Sequence, residues 1–179
     1  MTHTELLKVE LSAHGATKEL LHQVLEYRNG FLYWKIALST KTKIGSVAGC
    51  VSSDGYTRIG LNKKTYQAHR LIWIMHHGQA PSVIDHINGN PLDNRIENLR
   101  SATIAENVRN SRLSRNNKSG AKGVFWCNTY RLWAGRVIMN RRSYHAGRYE
   151  SREDCIKAVT KLRASLHGEF ARQEVLPHI

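Results

Sequence analysis

The chain of 179 residues has only three cysteines, Cys50, Cys127 and Cys155, far apart and without a Cys-x-x-Cys pair. Their scarcity argues against a disulfide framework and against a zinc ribbon. No apolar run approaches the length of a membrane span, and the opening MTHTELLKVE lacks the basic start and apolar stretch of a secretory signal. The expected setting is therefore cytoplasmic, with no membrane partner. Negative charge is missing from one region altogether. Between Glu106 and Glu150 there is no acidic residue, while Arg109, Arg112, Arg115, Lys118, Lys122, Arg131, Arg136, Arg141, Arg142 and Arg148 all fall there, in a chain of formal net charge +13. A solvated surface mixes its signs. A long stretch of one sign, threaded with Trp and Tyr, points to a polyanion, most simply nucleic acid.

The length suits one or two small domains, and the pattern along the chain is α+β. Residues 2–26 read as two helical pieces broken at Gly15, the second capped by Thr17 and carrying Leu20, Leu21, Val24 and Leu25. Phe31 to Trp34 reads as a strand, and 56–61 with 65–68 as a hairpin across Asn62-Lys63-Lys64. His69 to His77 has the apolar density of a short buried helix, packed behind the hairpin with Arg70 facing out. Residues 111–120 are polar, basic and aperiodic, as in a linker between a first domain (1–110) and a second (121–179). In the second domain three strands follow, at 123–126, 131–139 and 143–147, and then a helix capped by Ser151 with Ile156, Val159, Leu162 and Leu166 as its stripe. Alternation puts Trp133, Gly135, Val137 and Met139 under that helix and leaves the Arg136 face of the small antiparallel sheet open.

The stretch VIDHINGNPLDNRIENLRSATIAENVRN, Val83 to Asn110, concentrates the chemistry. Asp85 and His86 are adjacent, Asn98 stands twelve residues beyond His86, and Asn107 nine further, in a helix with Thr103 and Glu106 as a capping box. Hydrolysis of a phosphodiester needs a deprotonated water and a cation against the developing charge. His86 suits the base, since imidazole titrates near working pH. Asp85 and Asn107 suit the ligands of a hydrated Mg²⁺ or Mn²⁺. Asn98 suits a bond to backbone or to the second nitrogen of His86, fixing the ring.

These residues resemble the HNH nuclease motif in the His-Asn-Asn form of phage and intron-encoded homing endonucleases. Gly55-Tyr56, His69-Arg70-Leu71, Asp85-His86-Ile87-Asn88-Gly89, Asn94-Arg95 and Glu97-Asn98-Leu99 carry the likeness over residues 20 to 110. It implies a ββα-metal core, with two strands and a helix around one divalent ion. It also implies His86 as general base, Asn98 as its orienting residue, Asp85 and Asn107 as metal ligands, and products bearing 5′-phosphate and 3′-hydroxyl. The paired Cys-x-x-Cys motifs that many HNH proteins use for zinc are absent, so no zinc is expected.

The second half is similar to the plant ethylene-response-factor (APETALA-type) DNA-binding domain. The matching residues are Ser119-Gly120, Lys122-Gly123-Val124, Trp126, Trp133-Ala134, Gly147-Arg148-Tyr149 and Leu166 to Ala171. That likeness implies a sheet face in the major groove of double-stranded DNA, with Lys122, Trp126, Arg131, Arg136, Arg141 and Tyr144 at the contacts; the family's acidic position in the second strand is Arg136 here. Arg70, Arg109, Arg112, Arg115 and Lys118 would follow the phosphates. The expected protein is a site-directed, homing-type endonuclease, a monomer or a DNA-dependent dimer, acting in the host cytoplasm if phage-encoded. The alternative is a DNA-binding regulator on an inactive HNH scaffold.

Overall fold

The computed structural model describes residues 2–114 and 116–171. It divides into two compact units that meet between Thr103 and Ile104. Among the described residues no helix is long and apolar enough to cross a membrane.

The first unit mixes helices with three small sheets. Helices α1 (His3–His14) and α2 (Lys18–Val24) are separated at Gly15, and the Thr17 hydroxyl accepts from the Leu20 amide as the N-cap of α2. Leu25, expected to continue this helix, instead opens strand β1 (Leu25–Arg28), which pairs antiparallel with β2 (Phe31–Trp34). Asn29 and Gly30 turn the chain with positive φ at both positions, 46° and 86°, the geometry of a tight two-residue hairpin. A Cβ on Gly30 would stand 2.8 Å from the Arg95 amide nitrogen, so the turn can press against the Asn94–Arg95 backbone only as glycine.

Strands β3 (Cys50–Val51), β4 (Thr57–Leu61) and β5 (Lys64–Gln67) form the second sheet in that order, with the expected hairpin closing at Asn62-Lys63. Helix α3 (Ala68–His77) follows at once and stops at Gly78, whose N–H bonds to Ile74 O. It buries Ala68, Leu71, Ile72 and Met75, one stripe at helical spacing, among Leu21, Val24, Leu25, Leu32, Ile59 and Leu61. Full burial of a side chain such as Leu71 or Ile72 contributes about 1.5–3 kcal/mol, so α3 is the element on which this core closes. The third sheet is the antiparallel pair β6 (Val83–His86) and β7 (Leu99–Ala102), preceded by a 3₁₀ turn at Ile96–Asn98. Ile84 and Leu99 tie this pair into the same core.

The second unit starts with α4 (Ile104–Asn110), the helix expected after Thr103. Its C-terminal end is held within that unit, where Arg163 donates to the Arg109 carbonyl and Arg109 donates to Asn140 Oδ1. Part of the expected linker is also folded onto the unit. Ser119 and Ala121 are buried, and Arg152 Nε donates to the Ser119 carbonyl at 2.7 Å.

Strands β8 (Val124–Cys127), β9 (Leu132–Met139) and β10 (Arg142–Tyr149) form an antiparallel sheet with β9 central. A bulge between His145 and Gly147 lets β10 run further than its sequence suggests. Helix α5 (Arg152–His167), capped by Ser151 through the Asp154 amide, covers one face. Its Val159 is buried with Val124, Val137 and Ala121, and Cys155 shares the contact. Gly135 is the point of closest approach, where an added Cβ would meet Val159 Cγ2 at 2.5 Å and the Ala146 Cβ at 2.9 Å. Gly135→Ala is therefore expected to destabilise this unit by about 1–3 kcal/mol through overpacking. Urea unfolding followed by tryptophan fluorescence checks it, and an unchanged midpoint would mean that α5 can lift from the sheet without cost.

Candidate active site

The β6–β7 register sets Asp85 opposite Arg100 and His86 opposite Leu99. Adjacent strand residues face opposite sides, so the acid and the imidazole serve different atoms. Both are nevertheless buried, Asp85 at 3% and His86 at 5% exposure, which makes each dependent on its partners. Asp85 has its partner in Arg100: Nε donates to Oδ2 at 2.9 Å and Nη2 lies 2.8 Å from the same oxygen.

His86 lies against two rings. His69, from the first turn of α3, meets it edge-on with centroids 5.0 Å apart, and Tyr56 lies 6.1 Å away. Its Nε2 is 3.0 Å from Asn94 Oδ1. A carboxamide oxygen only accepts, so Nε2 carries the proton and the lone pair belongs to Nδ1. Burial pushes the pKa of His86 down, opposed by the Asn94 bond and by the charges of Asp85 and Asp93. A neutral ring with a defined tautomer is the form a general base requires.

Asn98, expected to bond backbone or His86, bonds the loop. Its Oδ1 accepts from the Asn88 amide at 3.0 Å, while Nδ2 donates to Asn88 Oδ1 at 3.1 Å and to the Asp93 carbonyl at 2.7 Å. Its own carbonyl accepts from the Ile87 amide. The side chain thus fastens both ends of the 87–94 loop, and the loop delivers Asn94 to the imidazole. The orienting contact that the sequence suggested for Asn98 is made by Asn94. Arg95 holds both oxygens of Asp93 at 2.8 Å, which keeps that carboxyl far below its usual range, at about 2, and stiffens the same loop. From the other side Tyr27 Oη accepts from the Ile96 amide at 3.1 Å, so the β1–β2 hairpin braces the segment that reaches His86.

Asn107 is exposed on α4, in the second unit. Arg70 is half-buried and reaches the Ser82 carbonyl. Arg112, Lys118, Arg131, Arg136 and Arg141 are exposed, Lys122 reaches Ser111 Oγ, and Arg115 lies outside the described residues. Trp126 pairs with Trp133 and Tyr144 with Val137, on the face that carries Val137, and both side chains are exposed. The opposite face carries Phe125, Arg136, His145 and Arg148, with the Arg136 guanidinium over the Phe125 ring and that of Arg148 over Tyr130.

Residues 66–109, from β5 through the Asp85–His86 hairpin into α4, match the HNH endonuclease family. The chain is 34% identical over 117 residues to Protein 3.8 of Escherichia phage T7, an alignment covering 62% of this chain and 94% of that protein. It is 30% identical over 141 residues to an uncharacterized HNH endonuclease of Acanthamoeba polyphaga mimivirus, covering 77% of this chain and 68% of the relative. The chain belongs to the HNH endonuclease family. No solved structure matches it.

HNH nucleases generally use a divalent metal. Among the described residues no group of three or more His, Cys, Asp or Glu side chains is placed to hold one. A donor set built on one carboxylate fits a hard cation that keeps most of its waters, and does not fit a closed protein cage.

The site residues that sequence reasoning passed over are Asn94, Arg100, His69 and Tyr56. Asn94 and His69 stand in segments that carry the HNH likeness, but nothing local gave either a role. His69 is 5% exposed, and burial first, then the charges of His86 and Arg70, push its pKa down to about 3. An unfolded histidine binds a proton near pH 6.5, so the unfolded state is the more protonated between 6.5 and 3. This contribution to stability is complete above pH 6.5 and is lost as pH falls, by up to about 1.4 kcal/mol per unit. The urea midpoint is expected to drop between pH 7 and 4.5, and His69→Asn to flatten the drop. An equally steep drop in the variant would assign it to other groups.

Proposed function

We propose that this HNH protein is a homing-type, site-directed DNA endonuclease in which His86 is the general base and Asp85 a ligand of a divalent cation. The observation that carries the reading is the buried His86 ring, its Nε2 3.0 Å from Asn94 Oδ1 on a loop fastened by Asn98, on the residue next to a buried carboxylate.

The chemistry follows from that arrangement. His86 Nδ1 takes a proton from water as the water oxygen attacks phosphorus, and the P–O3′ bond breaks. The products are a 5′-phosphate and a 3′-hydroxyl, the leaving oxygen having gained a proton. A bound Mg²⁺ or Mn²⁺ supplies positive charge against the phosphate oxygens in the transition state. Asn94 keeps the base in the tautomer it needs, and Asn98 acts through the loop on that geometry.

The second unit supplies the choice of site in this reading. The resemblance of residues 117–171 to the APETALA-type domain supports it, as does a sheet face that carries Arg136, Arg148 and Phe125. Guanidiniums there can take guanine edges or phosphates. Arg112, Lys118, Arg131 and Arg141 add charge for the backbone.

His86→Ala is expected to lose on the order of 10²–10⁴ in single-turnover cleavage rate while keeping its affinity for DNA. Undiminished cleavage would remove His86 from this role. Tight DNA binding without cleavage by the wild-type chain, on the relative's or host's own genomic DNA, would favour a regulator on an HNH scaffold.

A further inference from the structure

We infer that His69 and Tyr56 are positioning residues whose rings clamp the imidazole of His86 in one plane, which the Asn94 bond alone does not do. The inference rests on the reading of His86 as general base.

The Asn94 contact leaves one motion weakly restrained. Rotation of a histidine ring about its Cβ–Cγ bond has a broad, roughly two-fold profile. Nε2 sits close to the line of that bond, so it shifts little as the ring turns. A bond there, 3.0 Å to Asn94 Oδ1, therefore fixes where the ring ends more firmly than it fixes the plane. The plane has to be set from the sides.

Two rings stand at those sides. His69 meets His86 at 78° with centroids 5.0 Å apart, an edge-on contact. Tyr56 is tilted 52° to His86 at 6.1 Å, and Tyr56 and His69 lie 5.5 Å from each other. Edge-on and tilted pairs at such separations attract as well as fill space. Each ring of this cluster thus blocks the turning of the others.

The clamp is itself anchored. His69 is 5% exposed on the first turn of α3, whose Ala68, Leu71 and Ile72 are packed in the core. Tyr56 leads directly into β4, where Ile59 and Leu61 are buried in the same core. Burial also keeps His69 uncharged at working pH, so it presents a ring and not a second cation to the base. Such a group suits a wall and not a proton carrier.

The test is single-turnover cleavage of phage-derived plasmid DNA by the full-length chain, with DNA affinity and the urea midpoint measured beside it. His69→Ala, which deletes the ring, is expected to slow cleavage ~10–100-fold with DNA affinity held, since a misplaced base costs rate and not binding. His69→Phe, which keeps a ring without its nitrogens, is expected to recover most of that loss. Tyr56→Leu and Tyr56→Phe should repeat the pattern at a half-buried position, where truncation disturbs folding less. Wild-type rates in the ring-deleted variants, an equal loss in the ring-keeping ones, or affinity and midpoint falling in step with rate would overturn the inference. His86→Ala separates the two readings. If it cleaves as wild type does, the base reading falls and the inference with it; if it is inactive while His69→Ala and Tyr56→Leu cleave normally, only the inference falls. Nuclear Overhauser contacts in the wild-type chain answer independently of cleavage and of any variant's folding. One fixed pattern from the His86 ring protons to the His69 and Tyr56 rings supports the clamp, and averaging over two ring orientations contradicts it.

Discussion

The register of β6 on β7 is the constraint from which the candidate site follows. Asp85 opposite Arg100 gives a buried carboxylate its counter-charge, and His86 opposite Leu99 turns the imidazole to the other side, against His69. A slip of one residue would exchange the two faces, burying an unpaired carboxylate and separating His86 from Asn94. The register is held from both sides. Ile84 and Leu99 anchor the strands in the core that α3 closes, and Asn98 fastens the loop joining them. Stability and chemistry thus depend on the same pair of strands.

The loop between those strands is polar, with Asn88, Asn90, Asp93, Asn94 and Asn98 in close succession. Asparagine is suited to this work, since one carboxamide both accepts and donates and carries no charge to compete with Asp85. Asn98 spends its groups on the loop backbone and on Asn88, and Asn94 spends its oxygen on His86. The second unit is organised differently. A thin sheet is covered by one helix through a glycine contact at Gly135, and the opposite face is left to arginines and rings.

Much of this architecture was legible because it is local. Thr17 and Ser151 as helix caps, the β4–β5 hairpin, α3, and the three strands before α5 all follow from capping, turn residues and alternation over a few positions. The β1–β2 hairpin was not read, since Leu25 continues the apolar stripe of α2 and tertiary packing, not spacing, ends the helix there. Asp85 and His86 stood out by their chemistry. Arg100 did not, because its place opposite Asp85 depends on a register set across the long 87–98 connection. Nor could spacing tell Asn94 from Asn98, for the path of the loop alone decides which carboxamide reaches the ring.

The central claim is that Asp85 and His86 form a metal-dependent hydrolytic centre. Incubation of supercoiled plasmid carrying phage-derived sequence with the wild-type chain and Asp85→Asn, in Mg²⁺ and then in excess chelator, tests it most directly. The account predicts open-circle or linear DNA from the wild type in Mg²⁺ and intact plasmid in the other three reactions. Cleavage by Asp85→Asn, or by the wild type in chelator, would contradict it.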